Sequence, residues 1–214
     1  MKKNKFSKWI GEWKKEISTH KDLMILSILI FIIAIIVSFI AGNYVDKAIT
    51  TPVNDLILDH IPTLNIGFLF VYGIIAILVA IAIYTIFIKV KDFHIVLSQF
   101  SLLILVRSFF IILTHLEKPI NALPLNHLPK IYDFFNFYND LFFSNHTAMT
   151  FMAFLIFRKE KIGIFFLIAT FVMAVTVLFA HVHYSIDVFA SFFITYGIYK
   201  FGNWLFSKLD KKRK

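Results

Sequence analysis

His183 and Asp187 stand four residues apart in the run His181-Val182-His183-Tyr184-Ser185-Ile186-Asp187. On a helix that spacing puts two side chains on one face. A carboxylate there can accept from one imidazole nitrogen, fix the tautomer and raise the basicity of the other nitrogen. Such a pair is half of an activated nucleophile. It also occurs simply as a helix cap, so it decides nothing alone. His146 adds weight. It follows Ser144, a good N-cap residue, in the cluster Ser144-Asn145-His146-Thr147. A helix start offers free N–H groups and a positive dipole end, which suit a phosphate. Arg107 is a third polar group, set in an otherwise apolar run.

Those residues need elements to hold them, and composition says which kind. Of 214 residues, 59% are hydrophobic and 16% charged, with 27 Phe. Soluble domains average roughly 45–50% and 25%. A soluble globule has too little interior for this chain, so the reading is an all-α membrane protein. The absence of cysteine excludes disulfides, zinc-thiolate sites and thiol nucleophiles. A spanning helix needs about 20 apolar residues. Six segments approach that length: 23–41, 66–88, 95–113, 141–157, 162–180 and 186–206. The fourth begins with polar residues, and the sixth carries Asp187 and Lys200.

The net charge of +9 does not point to nucleic acid, because the cations follow the spans. Eighteen Lys and Arg lie toward one side of these spans, seventeen at the termini and in loops and Lys200 within the sixth segment, against three (Lys47, Lys118 and Lys130) on the other. By the positive-inside rule both termini are cytoplasmic, and loops 42–65, 115–140 and 181–185 face the outside or a lumen. His146 and His183 then share the extracytoplasmic end. Residues 1–22 carry Phe6, Trp9, Ile10, Trp13 and Ile17 at helical spacing between lysines. They read as an amphipathic interfacial segment rather than a signal peptide. Residues 23–206 form the catalytic membrane domain, and 207–214 a basic tail.

The polar runs carry a resemblance. Asn139-Asp140-Leu141-Phe142-Phe143-Ser144-Asn145-His146-Thr147 resembles the G-D-x-x-[FY]-S-G-H-T motif of the sphingomyelin synthase-related family. His183-Tyr184-Ser185-Ile186-Asp187-Val188 resembles its H-Y-[ST]-x-D-V motif, and Arg107-Ser108 with Thr114-His115-Leu116 its R-S/G…T-x-L-P segment. That family sits in the type 2 phosphatidic acid phosphatase superfamily. The resemblance covers roughly residues 85–200. It implies that His183 attacks a lipid phosphodiester, that Asp187 orients it, and that His146 protonates the departing diacylglycerol oxygen. A phosphohistidine then passes its headgroup to a ceramide-like or other lipid alcohol. It also implies that Arg107, Asp140, Ser144, Asn145 and Tyr184 bind the phosphate or substrate, with no cofactor and no metal. The departures are Asn145 and Asn139 for Gly, and Glu117 for Pro.

The phosphatase branch of the superfamily has K-x6-R-P and S-R-x5-H motifs. Here Val177 stands six residues before His183, and no Arg-Pro occurs. A phosphomonoester dianion demands several cations, so the supply favours a monoanionic diester. The alternatives are a lipid phosphatase or phospholipase C-like hydrolase and, in another class, a transporter. A transporter favours charges and helix breaks near the bilayer midplane. Among the remaining residues, His181 is read as facing the interface. Tyr132, Phe134, Phe135, Phe137 and Tyr138 read as an aromatic belt or a choline-recognising surface. His20, His60, His94, His115 and His127 read as scattered, without metal-ligand spacing.

Overall fold

Long uncharged runs become helices because only a helix satisfies every backbone group within its own segment in an apolar medium. The computed structural model of the chain describes residues 5–124, 137 and 139–211. Among them are six α-helices: α1 (Lys5–Val45), α2 (Gly67–Phe87), α3 (Phe93–Leu113), α4 (Asn145–Phe157), α5 (Lys161–Phe179) and α6 (Ser185–Lys211). Short 3-10 turns, Leu58–His60 and Val90–Asp92, interrupt two connections. The one bridge between extended segments among the described residues joins Thr51 and Leu116. Four stretches are long and apolar enough to cross a membrane: Phe6–Val45, Gly67–Phe87, Val90–Leu113 and Lys161–Phe179. They support an integral membrane protein.

The burial pattern is that of a bundle made for lipid. Ile36, Ile40, Phe68, Phe171 and Phe193 are exposed. Gln99, Ser101, Arg107, Thr147 and Thr170 are buried. Several buried hydroxyls bond to carbonyls of their own helices, for example Ser101 Oγ to the Leu97 carbonyl at 2.7 Å and Thr170 Oγ1 to that of Phe166 at 2.7 Å. Apolar side chains gain little from leaving lipid, so helices there associate by close packing. Ala34, Ala148 and Ala153 are fully buried in the principal core, and Ala41 is fully buried with Val45 and Ile111. α1 packs along α3, and α4 packs between α5 and α6.

Two elements differ from the sequence expectation. The interfacial segment and the first span form one helix, α1, with non-helical geometry inside it at His20 (φ −124°, ψ 28°). The expected fourth span, 141–157, starts as a helix only at Asn145 and has 13 residues. That is about 20 Å, short of the ~30 Å hydrocarbon thickness. Residues 141–144 are diverted because Phe143 gives its carbonyl to Arg107 and Ser144 caps the helix. Phe142 there has φ 54°. Lys130, His127, Tyr132, Phe134, Phe135, Tyr138 and the last three residues of the basic tail lie outside the described residues.

Candidate active site

The turn between α5 and α6 presents His183. Helix α5 ends with His181 in the left-handed region (φ 51°). The amide of Val182 bonds to the Val177 carbonyl at 3.2 Å and that of His181 to Leu178 at 3.0 Å. This is the Schellman termination, with His where glycine is usual. His181 is therefore spent on ending the helix, and it is buried rather than facing an interface.

Helix α6 starts at Ser185, so His183 precedes it and does not share a helical face with Asp187, as the spacing alone suggests. The pair forms by another route. Asp187, in the first turn, reaches back over the cap: its Oδ2 accepts from the Tyr184 amide at 3.0 Å and lies 3.2 Å from His183 Nδ1. An acidic residue at this position is the back half of a capping box. Asp187 is fully buried, and His183 nearly so. With Nδ1 directed at the carboxylate, Nε2 is left for chemistry.

Helix α4 brings in His146. Ser144 caps it by accepting from the Thr147 amide at 3.5 Å, and His146 falls in the first turn. Its ring stacks on Phe70 at a centroid distance of 3.9 Å. No side chain among the described residues hydrogen-bonds either of its ring nitrogens. The starts of α4 and α6 are locked together. The Ser144 amide donates to the Asp187 carbonyl at 3.1 Å. Ser191 Oγ donates within reach of both the Asp187 and Ser144 carbonyls, at 2.6 and 3.0 Å. Two histidines from segments 37 positions apart are thus held by one hydrogen-bonded frame.

Both histidines line one cavity of about 450 Å³. Its polar end also has Arg107, Lys118, Asp140 and Asn145. Its other wall is apolar: Ile35 of α1, Phe70, Ile74, Ile75 and Leu78 of α2, Ile104 of α3 and Met149 of α4. Phe137, of the expected aromatic belt, also lines it and lies over Gly42. A Cβ at position 42 would sit 2.2 Å from that ring, so the close approach requires glycine.

Arg107 is heavily engaged. Its Nη1 lies 2.7 and 2.9 Å from the two Asp140 carboxylate oxygens. Nη2 donates to the Asp140 carbonyl at 3.1 Å and Nε to the Phe143 carbonyl at 2.9 Å. Arg107 and Asp140 brace the loop before α4 while touching the cavity. Ser144 and Tyr184 do not line it. The Tyr184 hydroxyl donates to the Glu117 carbonyl at 2.8 Å and accepts from the Val53 amide at 3.1 Å, joining two loops. Lys118 lies in one of those loops. Burial pushes its ammonium below the ordinary lysine value, against the pull of Asp46 and Asp140.

Asp55 is a residue that sequence reading missed. Its Oδ2 accepts from the Ser185 amide at 2.7 Å, capping α6 from a distant loop, while Oδ1 holds the amides of Ile57 and Leu58. Burial opposes its charge, but hydrogen bonds from Leu58, Ser185 and Ile57 outweigh it and hold the carboxyl below its usual value. No local signal marks a loop aspartate as the cap of a helix 130 positions away. His20 and His94, scattered in sequence, meet Glu16, with potential ligand atoms all within 4.8 Å of one another.

Residues 139–204 match the family model described as PAP2 superfamily C-terminal. The match spans the segments that carry His146, His183 and Asp187, and it supports the type 2 phosphatidic acid phosphatase superfamily. No curated protein and no solved structure matches the chain.

Proposed function

We propose that this protein is an integral membrane lipid phosphotransferase. It moves a phospho-headgroup from a glycerophospholipid to a ceramide-like or other lipid alcohol through a phosphohistidine. The observation that carries this reading is one cavity lined at its polar end by His146 and His183 and along its length by apolar side chains. A charged headgroup fits one end and acyl chains the other. The superfamily match supports lipid phosphatase or phosphotransferase chemistry in general.

The geometry supports a two-step chemistry. Asp187 holds Nδ1 of His183, so Nε2 attacks phosphorus. The P–N bond forms as the P–O bond to diacylglycerol breaks, and His146 donates the proton that the leaving oxygen takes up. The now basic His146 removes the proton of the acceptor hydroxyl, whose oxygen displaces His183 from phosphorus. Splitting the displacement in two gives each step an imidazole as its acid, base or nucleophile.

Cation supply favours a diester donor. Arg107 is paired with Asp140, and Lys118, itself drawn on by Asp46 and Asp140, is the one lysine lining the cavity among the described residues. A lipid phosphatase or phospholipase C-like hydrolase uses the same histidines with water as acceptor, and the superfamily match favours that as the second reading. Mass spectrometry of lipids separates the two. Purified protein, incubated with defined diacyl phospholipids and ceramide, should yield diacylglycerol and a ceramide carrying the headgroup. Diacylglycerol with free phosphorylated headgroup, whatever alcohol is supplied, marks the hydrolase.

A further inference from the structure

The end of the bundle remote from the histidine cavity holds a second group of ligand-type side chains. Helix α1 departs from helical geometry at His20, and its first part lies against the ends of α2 and α3. Both Trp9 and Trp13 donate to the Ile86 carbonyl, at 2.9 and 3.2 Å, and Trp13 meets Phe93 edge to face at 5.2 Å. In that junction Glu16 Oε1 lies 3.0 Å from His94 Nδ1 and 3.1 Å from His20 Nδ1. The two imidazole rings stack at 5.0 Å.

Three features distinguish this group from an ordinary ion pair. Glu16 is only 4% exposed, and among the described residues no Lys or Arg pairs with it. His20 Nδ1 is buried and close to the carboxylate, yet out of line for a hydrogen bond. All three ligand atoms fall within 4.8 Å of one another.

We propose that Glu16, His20 and His94 form a binding site for a divalent transition-metal ion, zinc being the best matched. Two imidazole nitrogens and one carboxylate oxygen suit a borderline ion, whereas magnesium and calcium prefer oxygen alone. Zinc bonds of about 2.0–2.2 Å in a tetrahedron set neighbouring ligand atoms roughly 3.3–3.5 Å apart. The observed 3.0 and 3.1 Å need open only by a few tenths of an ångström. His20, at a side-chain exposure of 31%, gives the ion a way in. The fourth position falls to water or another donor. Such an ion ties α1, just before and at its break, to the first turn of α3. It is a fastening of the N-terminal segment rather than part of the lipid chemistry: His94 and Arg107 lie about 20 Å apart along α3.

The test is zinc binding to the full-length protein, purified in detergent through a tag without histidine. Isothermal titration should show one zinc per chain, and cobalt should give the visible absorption of a four-coordinate nitrogen–oxygen site. His20→Ala, His94→Ala and Glu16→Gln should each weaken zinc binding by at least about tenfold. His60→Ala and His115→Ala, at histidines outside the cluster, should leave it unchanged. His20 is the partly exposed ligand, so its variant keeps the fold intact, which circular dichroism verifies. Equal zinc affinity in the wild type and His20→Ala overturns the proposal. So does a wild type that shows no saturable zinc binding, or one that takes magnesium as tightly as zinc.

Discussion

Arg107 and Asp140 form a paired fork in which one guanidinium nitrogen contacts both carboxylate oxygens, at 2.7 and 2.9 Å. The remaining guanidinium nitrogens take the carbonyls of Asp140 and Phe143. An arginine in an apolar helix is costly unless paired. Here the pairing fixes the loop that delivers Ser144 and His146. The same pairing reduces the positive charge that Arg107 offers to the cavity it lines.

Removing the guanidinium should therefore unfold more than a binding contact. Arg107→Met leaves Asp140 and two carbonyls without their partner, and a broken buried pair costs about 3–5 kcal/mol. Asp140 is one-fifth exposed, which places the loss toward the lower figure. Arg107→Lys should recover only part of it, because one ammonium cannot reproduce a planar fork. Thermal unfolding in detergent, with the Arg107 and Asp140 variants combined in a double-mutant cycle, measures the coupling. Additive effects of the two changes would rule out the bracing role.

The histidines should separate from their orienting acid in kinetics. On the proposed mechanism His183→Ala removes the nucleophile and His146→Ala the proton carrier, and each should abolish turnover while the helical spectrum persists. Asp187→Asn should cost less, about 10²–10⁴-fold, since an amide can still accept from the Tyr184 amide while the ring loses its anionic partner. Retained turnover in His183→Ala would dismiss it as the nucleophile.

Acid should loosen the site through Asp55. Its carboxyl is held below the unfolded value, so its stabilisation is present above the unfolded pKa and is lost as pH falls through the folded one. Asp55→Asn should lower stability at neutral pH and flatten the acid limb of the stability profile. Unfolding midpoints measured from neutral pH down to about pH 3 check this. A variant whose acid limb matches the wild type would assign that limb to other carboxyls.

Four apolar spans and the nearness of the two histidine segments were legible in sequence because hydropathy and motif spacing are local properties. His183–Asp187 is such a case: the spacing of four is correct, although a capping turn rather than a helical face delivers the contact. What was illegible is nonlocal. Asp55 caps Ser185 across 130 positions, and Glu16 meets His94 across 78. The start of α4 was misplaced because Leu141 and Phe143 are as apolar as the helix they precede, and both are buried. The demand of Arg107 for the Phe143 carbonyl, with the cap at Ser144, explains why the helix waits until Asn145.

The cavity should open away from the cytoplasm, since eighteen cations lie at the opposite ends of the expected spans against three on its own side. Asn121 is exposed in a loop at the cavity end, and the chain has no cysteine. Asn121→Cys should react with an impermeant thiol reagent in intact cells. Labelling only after permeabilisation would invert the orientation.

Lys118 should decide between transfer from a diester and hydrolysis of a monoester. It lines the cavity beside Arg107, whose charge is shared with Asp140. A phosphatidate dianion would find one lysine where several cations are wanted, whereas a diester carries a single negative charge. Phosphatidylcholine, phosphatidylethanolamine or phosphatidylinositol should therefore be the better donors. Lys118→Ala should raise KM for them by about ten- to a hundredfold, the worth of a charged hydrogen bond. Because burial lowers the lysine pKa, the ammonium is lost as pH rises through that lowered value, and KM should climb on the alkaline side earlier than for an ordinary lysine. Lys118→Arg, which stays charged, should erase that climb. On the proposed mechanism a phosphohistidine forms, and a membrane alcohol and water compete for it. Ceramide should divert the headgroup into a new lipid with ping-pong kinetics. Phosphatidate cleaved faster than every diester, with no acceptor lipid gaining a headgroup, would move the assignment to the phosphatase.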